Sequence, residues 1–492
     1  MLKIILGAAL ALVAGLGALL VGRTLLLPGG VPSPTPVTAA APELVDGAAA
    51  AARLGEAIRL GTISWGDREI DHQAFDDFAA FLERAYPAAH RAMTRETIGG
   101  HSLLYRWKGS ADVAPVGFIA HIDVVPVEPG TESGWTHGAF DGVVEGGAVW
   151  GRGAMDNKGQ LIALMEAAER LAASGFVPET DIYFLFGHDE ELGGDAGAGE
   201  IRKALDARGV HFAFTLDEGS GLVQGLIPGV ASPVALIATA EKGSTTLKFT
   251  ARAAGGHSSA PGKDTAVSLV SRAVVAVTDD PFPLEIDAGM TAFLHAIAPE
   301  MAFAPRLLLA NLWLTGPLVA KSLGESPTTA AALHTTTAPT MIDGGVKVNI
   351  LPQTASAIVN YRLHPRDSVA GVKARAEKQI AGLGVEVELA GGVEPSPQSS
   401  TSSAGYKAIE QATHEIFGAV PVAPFLTLQG TDTRHYVGAA DDNYRFTPFI
   451  YAPDDLARIH GTDERLMIED LVRGVSWYEA LIRGAGAGPS GN

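Results

Sequence analysis

Four short runs in the first half of the chain each end in residues that could do chemistry. Val116–Ala120 leads into His121-Ile122-Asp123, and Ala148–Trp150 into Gly151-Arg152-Gly153-Ala154-Met155-Asp156-Asn157-Lys158-Gly159. Asp181–Phe186 leads into Gly187-His188-Asp189-Glu190-Glu191, and Phe212–Leu216 into Asp217-Glu218. In an open α/β sheet the carboxyl ends of parallel strands lie side by side, so side chains scattered along the chain converge there. His121, Asp156, Glu191 and Asp217 are oxygen and nitrogen donors suited to zinc. His460, in Arg458-Ile459-His460-Gly461-Thr462-Asp463, could complete a pair of sites. A two-metal centre needs a carboxylate bridging ions about 3.5–4 Å apart. Adjacent glutamates suit a division of labour, one on a metal and the other moving a proton from water to a leaving amine. Singly, a His-x-Asp at a strand end or an acidic helix start is ordinary. The ordered set is what argues for a centre.

Composition narrows the choice. Among 492 residues, 55 Asp and Glu oppose 36 Lys and Arg, for a net charge of −19, which argues against nucleic-acid binding. Cysteine is absent, so disulfides, thiolate zinc sites and cysteine nucleophiles are excluded, leaving a metal to His, Asp and Glu. Yet 47% of residues are apolar and only 18% charged, greasy for so acidic a chain.

The positioning elements follow from periodicity. Short apolar runs alternate with helix-period segments from about residue 44 to 240, predicting an α/β fold with a mostly parallel central sheet and helices on both faces. At the N-terminus, Met1-Leu2-Lys3 precedes the uncharged run Ile4–Gly22, which predicts a membrane segment over 1–27, a signal anchor or signal peptide. Ala39-Ala40-Ala41 lies too far past the apolar run to make a convincing cleavage site, which favours the anchor. Lys3 before the span places the body outside the cytoplasm: periplasmic, secreted or lumenal. A Pro-rich linker fills 28–43, a Pro/Ser-rich break falls at Gly391–Ala404, and 485–492 form a Gly-rich tail.

The motifs His121-Ile122-Asp123-Val124-Val125-Pro126-Val127, Gly134-Trp135-Thr136-His137, Gly151–Gly159 and Gly187–Gly194 resemble the co-catalytic zinc family of aminoacylases and carboxypeptidases. That family includes glutamate carboxypeptidase, vacuolar carboxypeptidase S and the N-fatty-acyl-amino-acid synthase/hydrolase branch, to which the resemblance is greatest. It runs from about Leu54 to His460. It implies a zinc-peptidase catalytic domain in two parts, 44–241 and 393–484, interrupted by an inserted α+β lid/dimerisation domain over 242–392. It further implies two Zn²⁺ per subunit, bridged by Asp156, with His121 and Asp217 on one and Glu191 and His460 on the other. Glu190 would be the general base, with Asp123 orienting His121. In the lid, His257 would polarise the scissile carbonyl, and Asn349 and Arg362 would hold substrate oxygens, including a free carboxylate. Gly430 and Thr431 resemble a substrate-side loop, although Gln429 stands where a glycine is usual. A homodimer through the lid is the protein partnership the resemblance allows.

A second greasy stretch, Leu307–Ala320, lies in an insertion over about 281–325, uncharged between Arg306 and Lys321. Fourteen residues interrupted by Gly316-Pro317 are too few to span a bilayer. It reads as a buried helix of the lid core or of a dimer contact, as a wall for an acyl chain, or as a membrane-surface contact. The expected activity is hydrolysis of N-acyl amino acids or short peptides bearing a free carboxylate. The rivals are a Gly-Xaa-type dipeptidase or carboxypeptidase without acyl-chain preference, and a metal-free binding protein on the same fold.

Overall fold

The computed structural model describes residues 2–27 and 45–485. The expected Pro-rich linker, the Ala39–Ala41 site and all of the tail past Ala485 lie outside the described residues. After α1 (Leu2–Leu26) and α2 (Gly47–Arg59) the chain forms β1 (Met93–Ile98), β2 (Ser102–Trp107), β3 (Val116–His121), α3 (Lys158–Ala173), β4 (Ile182–Gly187), α4 (Ala198–Ala207), β5 (Phe212–Val223) and β6 (Val234–Glu241). A second unit follows: β7 (Gly243–Arg252), β8 (Gly256–His257), α5 (Ala266–Asp279), α6 (Ala288–Ile297), α7 (Phe303–Ala310), α8 (Leu312–Leu323), β9 (Thr336–Gly344), β10 (Ile350–Leu351), β11 (Thr354–Leu363), α9 (Val369–Gln379) and β12 (Val385–Val393). The chain then returns through α10 (Ala404–Phe417), β13 (Val422–Thr427), β14 (Ala440–Tyr451) and α11 (Ile468–Ala485).

The central sheet has eight strands in the order β1-β2-β4-β3-β5-β14-β6-β13. It is mixed rather than mostly parallel. The β4-β3-β5-β14 centre and the β6–β13 pair are parallel, whereas β1–β2, β2–β4 and β14–β6 are antiparallel. A tight turn joins β1 to β2, which only an antiparallel pair permits, whereas the parallel strands β3, β4 and β5 follow one another through the helical crossovers α3 and α4. Period-2 alternation splits the apolar strands between two layers. Phe118, Ala120, Phe184 and Phe186 face α2, α3, α10 and α11, and Ile119, Tyr183 and Leu185 face α4. Burial on both faces explains why β3 and β4 read as continuous apolar runs. Their polar end residues are left at the one edge where helices do not cover them.

The second unit has its own four-stranded antiparallel sheet, β9-β11-β7-β12, over α5 and α9, with Leu247, Phe249, Val270, Val359, Tyr361 and Val372 in its core. The greasy insertion lies elsewhere. Leu294, Ile297, Leu309 and Val319 from α6, α7 and α8 pack with Val234, Leu236 and Ala423, so these helices cover one face of β6 and β13, while Ala235 and Ile237 point into the main core on the other. Among the described residues, α1 is the one helix long and apolar enough by itself to cross a membrane, and signal sequences meet the same test. Most of it is exposed, and its last two turns touch α7 and the α7–α8 junction at Asn311.

One buried ion pair ties the sheet to the site. Arg445 on β14, fully buried, donates from Nε to Glu241 Oε2 at 3.0 Å, and Thr431 Oγ1 donates to the same oxygen at 2.8 Å. Removing one member strands a charge in the interior. Glu241→Leu is therefore expected to cost about 3–5 kcal/mol in urea unfolding. A loss below about 1 kcal/mol, as for a surface pair, would show that Arg445 finds water.

Candidate metal centre and active site

β3 ends at His121, whose Nδ1 lies 2.9 Å from the Asp123 carbonyl oxygen and 3.3 Å from Asp123 Oδ1. A donor at Nδ1 leaves the Nε2 lone pair facing the cleft. There Nε2 is 3.0 Å from Asp156 Oδ1 and 3.1 Å from Glu218 Oε1. Asp156 turns its other oxygen, Oδ2, to His460 Nε2 at 3.1 Å, and Glu191 Oε1 lies 3.3 Å from that same nitrogen. Asp156 thus stands between two imidazoles, one oxygen to each. Two donor groups, His121 with Asp156 and Glu191, and His121 with Glu190 and Glu218, each have ligand atoms within 4.8 Å of one another.

Backbone amides fix this arrangement. Asp123, fully buried, accepts the Glu190 N–H on Oδ1 and the Glu191 N–H on Oδ2, both at 3.2 Å. One carboxylate therefore orients His121 and sets the turn that carries both glutamates. Glu464, also fully buried, gathers the Asp156 loop: its Oε1 accepts from the amides of Gly153, Met155 and Asp156 at 3.0, 2.9 and 3.1 Å. Arg152 Nη1 donates to its Oε2 at 2.7 Å. Gly153 is required there: its φ is +89°, and a Cβ would lie 2.7 Å from Val124 Cγ1. His460 itself is held at φ +60°, a conformation non-glycine residues adopt at some cost.

The structure places Asp217 differently from the sequence expectation. Asp217 accepts the Thr433 N–H and hydroxyl on Oδ2, at 2.9 and 2.7 Å, and the Glu218 N–H on Oδ1 at 2.8 Å. It is spent on backbone, and its neighbour Glu218 faces His121 instead. Asn157 steadies Glu218, donating Nδ2 to Oε2 at 2.7 Å. The sequence reading also missed Glu464, whose signal was its place four residues after His460. It likewise missed Asp432, a buried carboxylate in which neither oxygen has a hydrogen-bond partner among the described residues.

Electrostatics mark the cluster as short of positive charge. Burial pushes the Glu190 carboxyl well above its usual range, with the Asp432, Glu218 and Glu191 charges adding to the push. Burial and the Asp156 charge raise Glu218 to about 7. Burial acts against ionisation of both His121 and Asp156. The facing carboxylates nevertheless hold His121 well above the usual imidazole value, and His121 and His460 hold Asp156 below the usual carboxylate value. Contacts with Asp156 and Glu191 raise His460 to about 10. The buried Glu191 Oε1 completes no hydrogen bond among the described residues. Imidazole lone pairs and crowded carboxylate oxygens, one of them orphaned, are a donor set that fits two divalent cations of zinc type.

The remaining predicted residues are not in this cluster. His257 on β8 and Asn349 beside β10 are exposed on a small ribbon of the second unit, where Ser258 N donates to the Asn349 carbonyl at 3.2 Å. Arg362 is exposed on β11, paired in register with Ser244 and Thr336. Thr431 lies near the cluster, one link behind Thr433, and Gly430 leads into its turn.

The family model for peptidase family M20/M25/M40 matches residues 117–484. The N-fatty-acyl-amino acid synthase/hydrolase PM20D1 of Xenopus tropicalis is 35% identical over 433 residues, 87% of this chain and 84% of the relative. Probable carboxypeptidase S-like 2 of Dictyostelium discoideum is 36% identical over 440 residues, 88% of this chain and 84% of the relative. Among solved structures, the metallo-carboxypeptidase Sso-CP2 of Sulfolobus solfataricus has the same fold, with a TM-score of 0.62 at 18% identity, covering 89% of this chain and 99% of that one. The motif order, the two donor groups and the matched length converge: this chain belongs to peptidase family M20/M25/M40 and is a zinc-dependent hydrolase of amide bonds.

Proposed function

We propose that the protein hydrolyses N-acyl amino acids that carry a free carboxylate, with preference for long apolar acyl groups, and that α1 anchors it to a membrane with its body outside the cytoplasm. The observation that carries the hydrolytic chemistry is Glu190 held by Asp123 next to the Asp156-bridged cluster. Asp156 would lie between two zinc ions, with His121 and Glu218 holding one and Glu191 and His460 the other. When bound, zinc supplies Lewis acidity that polarises the amide carbonyl and acidifies water.

The chain's own residues do the rest. The Glu190 carboxylate accepts a proton from the water that attacks the amide carbon, and returns it to nitrogen as the C–N bond breaks. A fatty acid and an amino acid leave. Asp123 keeps Glu190 and His121 at fixed separation. The guanidinium of Arg362 suits a carboxylate, His257 suits a developing oxyanion, and Asn349 would hold a further substrate oxygen. All three ride on the second unit, so closure of that unit, or a second subunit in a lid-mediated homodimer, delivers them.

Two features favour an apolar acyl group over a Gly-Xaa dipeptide. PM20D1 relatives from several vertebrates match most of the chain at 32–36% identity. A largely apolar cleft lined by Met290, Phe293, Phe425 and Leu426, with Asp287 and His364 also in its wall, lies where α6 meets the carboxyl ends of β6 and β13. The anchor reading rests on α1 being apolar and mostly exposed. It also rests on the buried Asn311 side chain donating to the Leu20 carbonyl at 3.2 Å, a partner that cleavage of α1 would remove.

Three outcomes are expected. Glu190→Gln keeps both zinc ions by elemental analysis yet loses about 10²–10⁴ in kcat, and near-normal turnover would remove Glu190 from the proton path. Glu218→Ala lowers the zinc content toward one ion per chain, whereas Asp217→Asn retains two; the reverse pattern would return the ligand role to Asp217. With zinc-loaded protein, N-acyl glycines of rising chain length give rising kcat/KM, by up to about 0.8 kcal/mol for each methylene buried. A steady fall with length, with Gly-Xaa dipeptides cleaved faster, would favour the dipeptidase reading.

A further inference from the structure

The α7–α8 pair presents an outward face that the fold leaves without a partner among the described residues. The two helices are bent by 114° at Asn311, and residues 307–320 between Arg306 and Lys321 carry no charge. Their inner side, Leu309, Ala310, Val319 and Ala320, is buried. On the outer side Trp313, Leu314 and Leu318 are 56%, 48% and 60% exposed. A surface helix of a soluble protein puts polar residues on that side, and a contiguous apolar patch instead marks a contact site.

What covers this face is indicated by what adjoins it. Asn311 Nδ2 donates to the carbonyls of Leu20 and Leu307, at 3.2 and 2.9 Å, and Arg306 Nη2 donates to the Leu27 carbonyl at 3.1 Å. Thr24 is fully buried beside Asn311. These contacts clamp α7 and the Asn311 junction, from which α8 starts, to the last two turns of α1. At about 1.5 Å per residue, the 25 residues of α1 extend past a hydrocarbon core of about 30 Å, so its last turns stand at headgroup level. α8 is thereby held beside the point where α1 leaves the bilayer, with a tryptophan on its free side, the residue enriched at that depth.

We propose that α8 lies in the interfacial layer of the same bilayer that α1 spans, with Trp313, Leu314 and Leu318 inserted among the lipids. The inference rests on the anchor reading for α1. It adds a second, monotopic contact that fixes the tilt of the body and presses the α6–β13 side toward the membrane. The contact is apolar, because a chain of net charge −19 gains nothing from anionic lipid.

The absence of cysteine makes a direct test available. Leu318→Cys in the otherwise unchanged full chain, carrying an environment-sensitive fluorophore, is placed in phosphatidylcholine nanodiscs holding one chain each. A label at Lys203→Cys on α4, on the far side of the central sheet from β13, is the aqueous reference. The expected result is blue-shifted emission at position 318, strong quenching by nitroxide lipids labelled near the headgroup, and iodide quenching several-fold weaker than at position 203. If the chain stays in the disc and iodide reaches both labels equally, α8 faces water and the inference fails while the anchor stands. Shielding that appears only in discs holding two chains makes the face a contact between copies and also overturns the inference. A chain that does not remain in the disc overturns the anchor reading, and this inference with it.

Discussion

Carboxylates crowded at the carboxyl ends of β3, β4 and β5 set the terms for the rest of the structure. Burying an ionised carboxylate is costly unless hydrogen bonds or counter-charges replace its water. The chain meets that demand in two ways, and the difference separates scaffold from site. Asp123, Asp217 and Glu464 are filled by backbone amides, hydroxyls or Arg152. Asp156, Glu191 and Glu218 instead turn oxygens toward imidazole nitrogens and toward each other. An acid whose oxygens are taken up by amides positions the backbone, and one whose oxygens are left over is available to a cation.

This sorting explains what the sequence could and could not disclose. Residue types at strand ends, and the absence of cysteine, point to a carboxylate-and-histidine centre from the sequence alone. His121, Asp156, Glu191 and His460 do meet, across more than 300 residues of chain. The choice between Asp217 and Glu218 was not legible. Two adjacent acids at a strand end differ only in which way each side chain turns, and that is decided by Thr433, over 200 residues away. Glu464 escaped notice because its role is to collect amides, and no motif of side-chain chemistry announces that. The sheet looked mostly parallel because its buried centre is, while the antiparallel β1 and β2 carry less distinctive runs.

Lid residues pose a different problem. His257, Asn349 and Arg362 have the chemistry for an oxyanion and a carboxylate, yet stand exposed on the second sheet unit. Their value to a reaction depends on a rigid-body placement that neither local sequence nor one arrangement of the chain fixes. The connection between the two sheets is short: β6 ends at Glu241, β7 begins at Gly243, and the return crosses at Ser396, whose backbone N–H donates to the Glu241 carbonyl at 3.1 Å.

The greasy insertion divides one apolar composition between two faces. Its apolar excess was plain in the sequence, but a run of leucines does not say which face is covered. The structure divides it: Leu309 and Val319 cover one face of β6 and β13, and Trp313, Leu314 and Leu318 look outward. That division bears on substrate supply. Each buried methylene favours the bilayer by about 0.8 kcal/mol, so a long-chain N-acyl amino acid resides in lipid, and its concentration in water is very small. A hydrolase drawing on the aqueous pool would be limited by that concentration however well its pocket fitted the chain. On the proposed reading, an enzyme anchored by α1, with a largely apolar cleft at α6 and β13, would meet the substrate in the phase that holds it. Acyl preference and membrane attachment would then be two consequences of one physical fact, the partitioning of the substrate.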